Sequence, residues 1–286
     1  MVKTAADPDP RLSSFYADLT SLELILGTLA QEGVDTARLS ARDLYSRNLD
    51  CQNLGAFPVL EVIARVLDEY GPAKPGERVL DVGCGIGGPG RFLVDRQGCR
   101  VVGVDLLPLR VETAQALAQK VGMADRVTYR VADATALPFG DGEFSQVWML
   151  DASIHVREKA RLFDELARVL RAGGLLVLHD MPGPLPRSMA SATRRAPYYA
   201  PTLPQLIRQL EHAGLRLLTW RDTTPLVLAD FEQKRAAVDK AGAELEGKAV
   251  PEQVRRRLAR GRKLIHDYLD ALGRDGVACG ILIARR

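Results

Sequence analysis

A strand that ends in a carboxylate, a turn built from glycines and the start of a helix lie between Val79 and Leu93. Asp81 closes the strand, and Pro89 stands at the first helical position, which proline favours because that residue needs no N–H donor. Four glycines make up the turn: Gly83, Gly85, Gly87 and Gly88. Backbone N–H groups point outward at such a helix start, and glycine lets a ligand approach closely. The stretch therefore predicts a cradle for a nucleotide-like ligand.

Two classes of ligand use a cradle of this kind, and Asp81 discriminates between them. Gly83, Gly85 and Gly88 match G-x-G-x-x-G, the dinucleotide fingerprint. A pyrophosphate is anionic, so a carboxylate at the strand end repels it. S-adenosylmethionine carries an ammonium and a sulfonium and has no phosphate, so Asp81 favours this ligand. The alternative without a ligand is an ordinary tight turn between a strand and a helix.

The glycine turn resembles the first motif of class I S-adenosylmethionine-dependent methyltransferases, acid-x-Gly-x-Gly-x-Gly. Residues 81–87, Asp-Val-Gly-Cys-Gly-Ile-Gly, match it at each position. The resemblance covers Val79–Met181. Within the family, the sequence resembles members that act on small molecules, such as the sarcosine/dimethylglycine N-methyltransferases and the sterol and tocopherol C-methyltransferases. It implies a Rossmann-like α/β fold with a doubly wound, mostly parallel seven-stranded sheet. It also implies S-adenosylmethionine as cofactor and S-adenosylhomocysteine as product.

Further cofactor contacts are predicted where other strands end. Asp105 lies 22 residues after Gly83, close to the spacing of about 20 expected of an acid that binds ribose hydroxyls. Asp133 falls where, in the resembling family, an acid meets the adenine amino group. A helix cap or turn residue is the alternative for both. The other candidates of the core are Asp81, Gly83, Cys84, Gly85, Leu106, Ala134 and Leu150.

Methyl transfer from a sulfonium is an in-line displacement, so the enzyme must align the acceptor and exclude water. A base is needed only if the acceptor holds its proton at neutral pH. His155 is the first candidate because it lies just past the strand predicted over Gly142–Leu150, and Asp151 could orient it or bind a cationic acceptor. His179 and Asp180 are second candidates. A hydrogen-bonded structural histidine is the alternative in each case.

Two segments outside the core strands are predicted to cover the site. Tyr45, Gln52 and Asn53 could close over the cofactor or substrate, since comparable enzymes use N-terminal helices in this way; a packed helix and turn is the alternative. The proline-rich loop Gly183–Pro201 is predicted to lie over the active-site edge. Four of its residues could grip an anionic or aromatic acceptor unless the loop is simply solvated: Arg194, Arg195, Tyr198 and Tyr199.

Strands and helices alternate five times up to Leu178, which favours a parallel doubly wound sheet. One helix is predicted over Arg11–Leu29 and another over Pro58–Tyr70. Arg171–Gly174 is expected to end a helix before a fifth strand over Leu175–Leu178.

The last two predicted strands, Leu215–Trp220 and Val277–Ala284, are expected to close the sheet as an antiparallel pair, as they do in the resembling family. The 56 residues of Arg221–Gly276 separate them, where a hairpin needs only a few, so we predict a helical insertion. The predicted division is a helical N-terminal extension or lid (1–70), a cofactor-binding core (71–220 and 277–286) and a helical cap (221–276).

Net charge, composition and motifs limit the classes of molecule that this protein is expected to bind. A net charge of +3 is too weak to indicate a nucleic-acid partner, and Asp151–Ile154 stands where nucleobase methyltransferases carry Asn/Asp-Pro-Pro-Tyr. No apolar run approaches a membrane span, the first ten residues lack a secretory core, and the four cysteines have no metal-binding spacing. We therefore expect a cytoplasmic protein with a small-molecule acceptor and no metal. The oligomeric state is open, and a homodimer is compatible with the sequence.

Three alternatives to methyl transfer stay open at this point. The first is a dinucleotide-dependent oxidoreductase, which Asp81 disfavours. The second is a non-catalytic protein that binds the cofactor, which an intact motif disfavours. The third is an enzyme of the same fold that uses the sulfonium without methylating.

Overall fold

A seven-stranded sheet in the order β3-β2-β1-β4-β5-β7-β6 organises the computed structural model, which describes residues 9–17, 21–189 and 196–286. The strands are β1 (Arg78–Val82), β2 (Arg100–Asp105), β3 (Val127–Val131), β4 (Phe144–Leu150), β5 (Leu170–Asp180), β6 (Arg216–Asp222) and β7 (Gly280–Arg285). The first five pair in parallel, and β7 lies antiparallel between β5 and β6. The predicted mostly parallel sheet with an antiparallel closure is confirmed.

Helices flank the sheet and precede it. In the described residues they are α1 (Pro10–Ala17), α2 (Leu22–Gln31), α3 (Ala41–Tyr45), α4 (Ala56–Tyr70), α5 (Gly88–Gln97), α6 (Pro108–Lys120), α7 (Lys159–Val169), α8 (Leu203–His212), α9 (Thr224–Glu244) and α10 (Glu252–Gly273). None of these helices combines the length and the apolar character that a membrane crossing needs.

Apolar side chains alternate between the two faces of the sheet, because successive residues of a strand point to opposite sides. Val79 belongs to a core cluster with α4 and α5, whereas its neighbour Leu80 belongs to a second cluster with α7. Every residue of the central strand β4 is buried, as expected of a parallel strand covered on both faces. This double burial fixes the positions of the carboxyl ends of β1, β2 and β4.

The single helix predicted over Arg11–Leu29 is wrong. Ser21 has an extended backbone (φ −118°, ψ 161°) and separates α1 from α2. Its hydroxyl accepts a hydrogen bond from the Leu24 N–H at 3.3 Å, so Ser21 is the N-cap of α2. In the sequence, Leu19, Leu22, Leu26 and Leu29 continue one helical apolar pattern across this cap, so the pattern does not reveal the break.

The Arg171–Gly174 segment does not end a helix before the strand, as predicted, but lies inside β5. Leu170 already pairs with Phe144, and after a register shift Leu175 pairs with Gln146. Gly173 has a φ of 74°, which glycine adopts without steric cost. The four residues form an irregularity in the strand, after which regular pairing with β4 resumes. The strand is therefore longer than the apolar segment Leu175–Leu178 that predicted it.

The long helices between β6 and β7 pack against each other and against the N-terminal part of the chain. The rings of Phe231 in α9 and Tyr268 in α10 stack with centroids 4.6 Å apart. The α9 helix contacts α4, and α10 contacts the short 3₁₀ turn Arg187–Met189. The predicted cap and the predicted N-terminal extension therefore touch each other beside the core.

Candidate active site

The glycine turn folds back on the end of β2. The N–H groups of Gly83 and Cys84 donate to the Val104 carbonyl at 2.8 and 2.9 Å. Gly85 has a φ of 56°, and a Cβ there would collide with the Arg110 guanidinium. Only glycine fits this position without strain. The Cys84 thiol is buried, and burial raises its pKa well above the ordinary value, so it stays a neutral part of the turn.

Asp81 lies beneath this turn with only 1% of its surface exposed. Burial raises its pKa to about 7, and the nearby Asp105 carboxylate adds to the shift. Among the described residues, four buried side-chain polar atoms lack a hydrogen-bond partner, and two of them are Oδ2 of Asp81 and Oδ1 of Asn53. Such orphaned acceptors are rare and indicate a missing donor.

A buried ion pair holds the turn from the other side. Arg91 in α5 and Asp50, which follows α3, are 2.8 Å apart with no exposed side-chain surface. The Arg91 guanidinium also donates to the Ile86 carbonyl at 2.7 Å and to the Tyr129 hydroxyl at 3.3 Å. Tyr129 in turn donates to the Gly87 carbonyl at 3.0 Å. The pair therefore joins the N-terminal segment to the backbone of the glycine turn.

Asp105 is shared by three groups. Its carboxylate accepts hydrogen bonds from the N–H groups of Gly85 and Leu107, both at 2.9 Å, so it also shapes the entry to α6. The Arg110 guanidinium lies 3.7 Å from it, donates to Gln52 Oε1, and sits 4.3 Å from the centre of the Tyr16 ring. The sequence singled out neither Arg110 nor Tyr16.

The remaining predicted cofactor residues lie at the same edge of the sheet. Asp133 follows β3, and one of its carboxylate oxygens accepts hydrogen bonds from the Thr135 N–H and hydroxyl, both at 2.8 Å. This oxygen therefore stabilises a turn, which is the alternative role considered for Asp133. Leu106 and Ala134 follow β2 and β3 and are half-buried, while Leu150 ends β4 and is buried. The topology thus brings these residues to the carboxyl ends of neighbouring strands, where open α/β sheets bind ligands.

His155 is held in one tautomer. Its Nδ1 lies 2.7 Å from the Pro197 carbonyl, which only accepts hydrogen bonds, so Nδ1 carries the proton. Its Nε2 then accepts from the Tyr16 hydroxyl at 3.0 Å. Burial lowers the pKa of His155, and burial also raises the pKa of Tyr16 to about 12. A neutral imidazole therefore presents its lone pair to a protonated phenol.

Asp151 does not orient His155, as the sequence suggested, because it pairs with His179 instead. Its carboxylate lies 3.0 Å from His179 Nδ1 and accepts the Leu54 N–H at 2.7 Å. His179 Nε2 lies 2.8 Å from the Thr223 hydroxyl at the start of α9. Burial alone would lower the pKa of His179, but the charge and hydrogen bond of Asp151, together with the Asp180 carboxylate, raise it. Asp151 has a φ of 53°, a strained value for a residue with a side chain.

Tyr45 packs in the core and not at the substrate position predicted for it. Its hydroxyl donates to Asp95 at 2.6 Å, and its ring contacts Phe57 and Phe92. Asp95 lies seven residues into α5, about 10 Å along the helix from the glycine turn. The packed alternative for Tyr45 is the one the structure shows.

The two loop tyrosines bond to the segments that follow β4 and β5. Tyr198 is half-buried and donates to the Met181 carbonyl at 2.7 Å. The Tyr199 N–H donates to the Ile154 carbonyl at 2.7 Å, while its ring is exposed. Arg194 and Arg195 lie outside the described residues.

Metal coordination finds no support in the described residues, where no three His, Cys, Asp or Glu side chains come close enough to hold an ion. The site comprises the glycine turn, the carboxylates of Asp81, Asp105 and Asp133 around it, and a neutral histidine with its tyrosine.

Comparison with known proteins places this site in a family. Residues 80–178 match the methyltransferase domain family. Methyltransferase GfsG from Streptomyces halstedii is 33% identical over 192 residues, which cover 61% of this chain and 68% of that protein. This chain belongs to the class I S-adenosylmethionine-dependent methyltransferases.

Other methyltransferases match over less of their length or at lower identity. The probable chloroplastic tocopherol O-methyltransferase of Oryza sativa subsp. japonica is 39% identical over 105 residues, 37% of this chain and 29% of that protein. A solved geranyl diphosphate methyltransferase in complex with SAM has a TM-score of 0.61 at 25% identity and covers 79% of this chain and 84% of that chain. The chain thus spans less than a third of the plant relative.

Methyltransferases of this family use S-adenosylmethionine, which decides against the dinucleotide alternative. The orphaned oxygens provide a test of fit. The cofactor brings hydrogen-bond donors in its ammonium, ribose hydroxyls and adenine amino group. This chain offers acceptors in Asp81, Asn53, Asp105 and Asp133 around a turn without side chains. The residues present therefore fit the cofactor.

Proposed function

We propose that this chain transfers a methyl group to a small molecule whose acceptor oxygen or nitrogen loses a proton to His155. The observation that carries this proposal is the fixed tautomer of His155: its Nε2 at the carboxyl end of β4 bears no proton of its own and accepts a hydrogen bond from the Tyr16 hydroxyl, through which the acceptor's proton can reach it. A base is useful only when the acceptor atom holds a proton, as a hydroxyl or an ammonium does. Among the relatives, the rice enzyme is named as an O-methyltransferase.

We infer the cofactor contacts from the acceptors on this chain. Asp81 pairs with the ammonium, Asp105 accepts from the ribose hydroxyls, Asp133 takes the adenine amino group, and Gln52 and Asn53 cover the cofactor from the N-terminal side. The bound cofactor supplies an electrophilic methyl group and a neutral thioether leaving group. Because Arg110 lies against Gly85, its guanidinium shares the cradle with the cofactor.

The acceptor side is proposed to lie between His155 and the helices that cover it. Tyr16 comes from α1, Tyr198 from the 196–201 loop and Tyr268 from α10, and burial raises the pKa of the Tyr268 hydroxyl. Aromatic rings from three segments exclude water from the reacting atoms, which strengthens each charge interaction there.

Activity is tested by supplying the protein and S-adenosylmethionine with panels of phenols, alcohols and amines and measuring S-adenosylhomocysteine. We expect product that depends on the acceptor. A different result would instead support a non-methylating enzyme: the protein binds S-adenosylhomocysteine but shows no acceptor-dependent turnover, and it converts an acceptor that gains no methyl group.

Asp81→Asn is expected to weaken S-adenosylhomocysteine binding by at least about tenfold at pH 8, since one charge pair with the ammonium is lost. The wild-type affinity should rise from pH 5.5 to about 8 and then level off. The ammonium binds the ionised carboxylate, and Asp81, with a pKa of about 7, must first release its proton. Titration calorimetry at several pH values measures both effects.

The exposed acid Asp125 provides the matched control for this prediction. Asp125→Asn also removes one carboxylate, but its side chain is 77% exposed, so affinity and pH dependence should match the wild type. An Asp81→Asn protein that binds as tightly as the wild type at each pH would show that Asp81 does not contact the ammonium.

A further inference from the structure

The turn that carries His155 has little secondary structure of its own. It is a single 3₁₀ turn, Ser153–His155, between the end of β4 and the start of α7. A side chain from α7 satisfies its carbonyl groups. The Lys159 ammonium donates to the Val156 carbonyl at 2.7 Å and to the Ser153 carbonyl, one residue after and two residues before His155.

Lys159 is placed where helix stability does not explain it. It is the first residue of α7, where the helix dipole disfavours a positive charge. Only 7% of the residue is exposed, and burial lowers its pKa to about 8 while the Asp180 carboxylate opposes that shift. The free-energy cost of burying this ammonium must be offset by the interactions it makes. Those interactions are hydrogen bonds to the turn that carries His155.

The rest of the turn is fixed by its neighbours. The Ser153 hydroxyl donates to the Asp180 carboxylate, and the Tyr199 N–H donates to the Ile154 carbonyl at 2.7 Å. Loss of Lys159 therefore removes the side-chain donor of the half-buried Val156 carbonyl, while the Ser153 carbonyl keeps only the bond from the Val156 N–H at 2.9 Å. A carbonyl that loses its donor destabilises the segment to which it belongs, and here that segment carries His155.

Several charged and polar groups face His155 from the elements around it. The Tyr16 hydroxyl reaches it from α1, the Pro197 carbonyl from the loop, and Lys159 from α7. The carboxylates of Asp105 and Asp151 act on it from the ends of β2 and β4. The two carboxylates favour the imidazolium and the lysine disfavours it, so Lys159 opposes the protonation that the acids promote.

We propose that Lys159 is a positioning residue for His155: its ammonium holds the carbonyl groups on both sides of the histidine and so fixes the turn that carries the imidazole. This inference rests on the proposed role of His155 as the base. The lysine itself touches no reacting atom.

The test separates the charge of Lys159 from its hydrogen bonds. Lys159→Met removes both, whereas Lys159→Gln keeps a donor and removes only the charge. Arg157→Met removes a positive charge two residues from His155, but at an exposed position, and is the matched control. The pKa of His155 is read from the titration of its ¹³Cε1 NMR signal, assigned with His155→Gln, and does not depend on activity.

We expect both Lys159 variants to raise the His155 pKa by about half a pH unit or more, while Arg157→Met leaves it unchanged. The acid limb of kcat/KM should move to higher pH by the same amount. We further expect kcat to fall about tenfold in Lys159→Met and less in Lys159→Gln, with S-adenosylhomocysteine affinity unchanged. A merely structural lysine would lower the melting temperature without moving the pKa.

The outcomes distinguish this inference from the proposed function. A His155 pKa that is equal in the wild type and in Lys159→Gln overturns it. A raised pKa in a protein that methylates no acceptor supports the contact between Lys159 and His155 and speaks against His155 as a base. If Lys159→Met does not fold, Lys159→Gln decides by the same pKa measurement.

Discussion

His155→Ala is expected to lower kcat for methyl transfer by about 10²- to 10⁴-fold, the usual contribution of a positioned general base. The affinity for S-adenosylhomocysteine should stay within about twofold of the wild type, because the imidazole contacts Tyr16 and Pro197 and none of the acids of the glycine turn. Kinetics with a substrate from the acceptor panel and calorimetry with S-adenosylhomocysteine measure the two quantities separately.

The pH dependence of the wild type follows from the same geometry. Burial lowers the pKa of His155 from its ordinary value of 6.5, so the neutral base is present at pH 7. Below that pKa the imidazole is protonated and cannot accept the acceptor's proton, so kcat/KM should fall as the pH falls. The remaining activity of His155→Ala should lack this acid limb.

Two further variants control the prediction for His155. His212→Ala removes an exposed histidine of α8 and should change neither kcat nor its pH dependence. Tyr16→Phe keeps the ring under Arg110 but removes the hydroxyl that donates to Nε2, so a decrease in kcat there assigns the hydroxyl a part in the proton transfer. Full activity of His155→Ala would make the histidine a structural residue.

The parts of this site that the sequence predicted are local along the chain. The acid, the glycines and the helix start lie within one strand–turn–helix unit, so their spacing alone fixes their relation. Asp105 follows from a characteristic distance along the chain to the next strand. The alternation of strands and helices predicted the sheet for the same reason, since each unit must bury its apolar face against the next.

The parts that the sequence did not predict depend on contacts between distant segments. Tyr16 meets His155 across 139 residues, and no pattern near either residue marks the contact. Asp151 was expected to serve His155, but His179 on the neighbouring strand lies nearer, because adjacent parallel strands end side by side. Tyr45 was predicted at the site, yet a tyrosine on the inner face of a short helix packs against other rings.

The glycine turn is likewise covered through contacts between segments that are distant along the chain. Arg110 in α6 is within reach of Asp105, Gln52 and the Tyr16 ring, which come from three separate parts of the chain. The guanidinium therefore joins the predicted ribose acid to the helix that carries the partner of His155.

Arg91→Met is expected to lower the free energy of unfolding by about 3 to 5 kcal/mol, because it leaves the Asp50 carboxylate buried without its partner. It also removes the donors to the Ile86 carbonyl and the Tyr129 hydroxyl, so the backbone of the glycine turn loses its support. S-adenosylhomocysteine affinity should therefore fall even where the protein remains folded. Urea denaturation and calorimetry measure the two effects.

A double-variant cycle shows whether the pair acts as a unit. Asp50→Leu combined with Arg91→Met replaces both charges by apolar groups, which is often close to neutral for a buried pair, so most of the lost stability should return. Arg161→Met is the control, since its 3.7 Å pair with Glu158 is exposed and should contribute less than about 1 kcal/mol. Single variants whose effects are small and add in the double variant would contradict the coupling. Recovery of stability without recovery of S-adenosylhomocysteine affinity would show that Arg91 supports the cradle through its hydrogen bonds to the turn as well as through the ion pair.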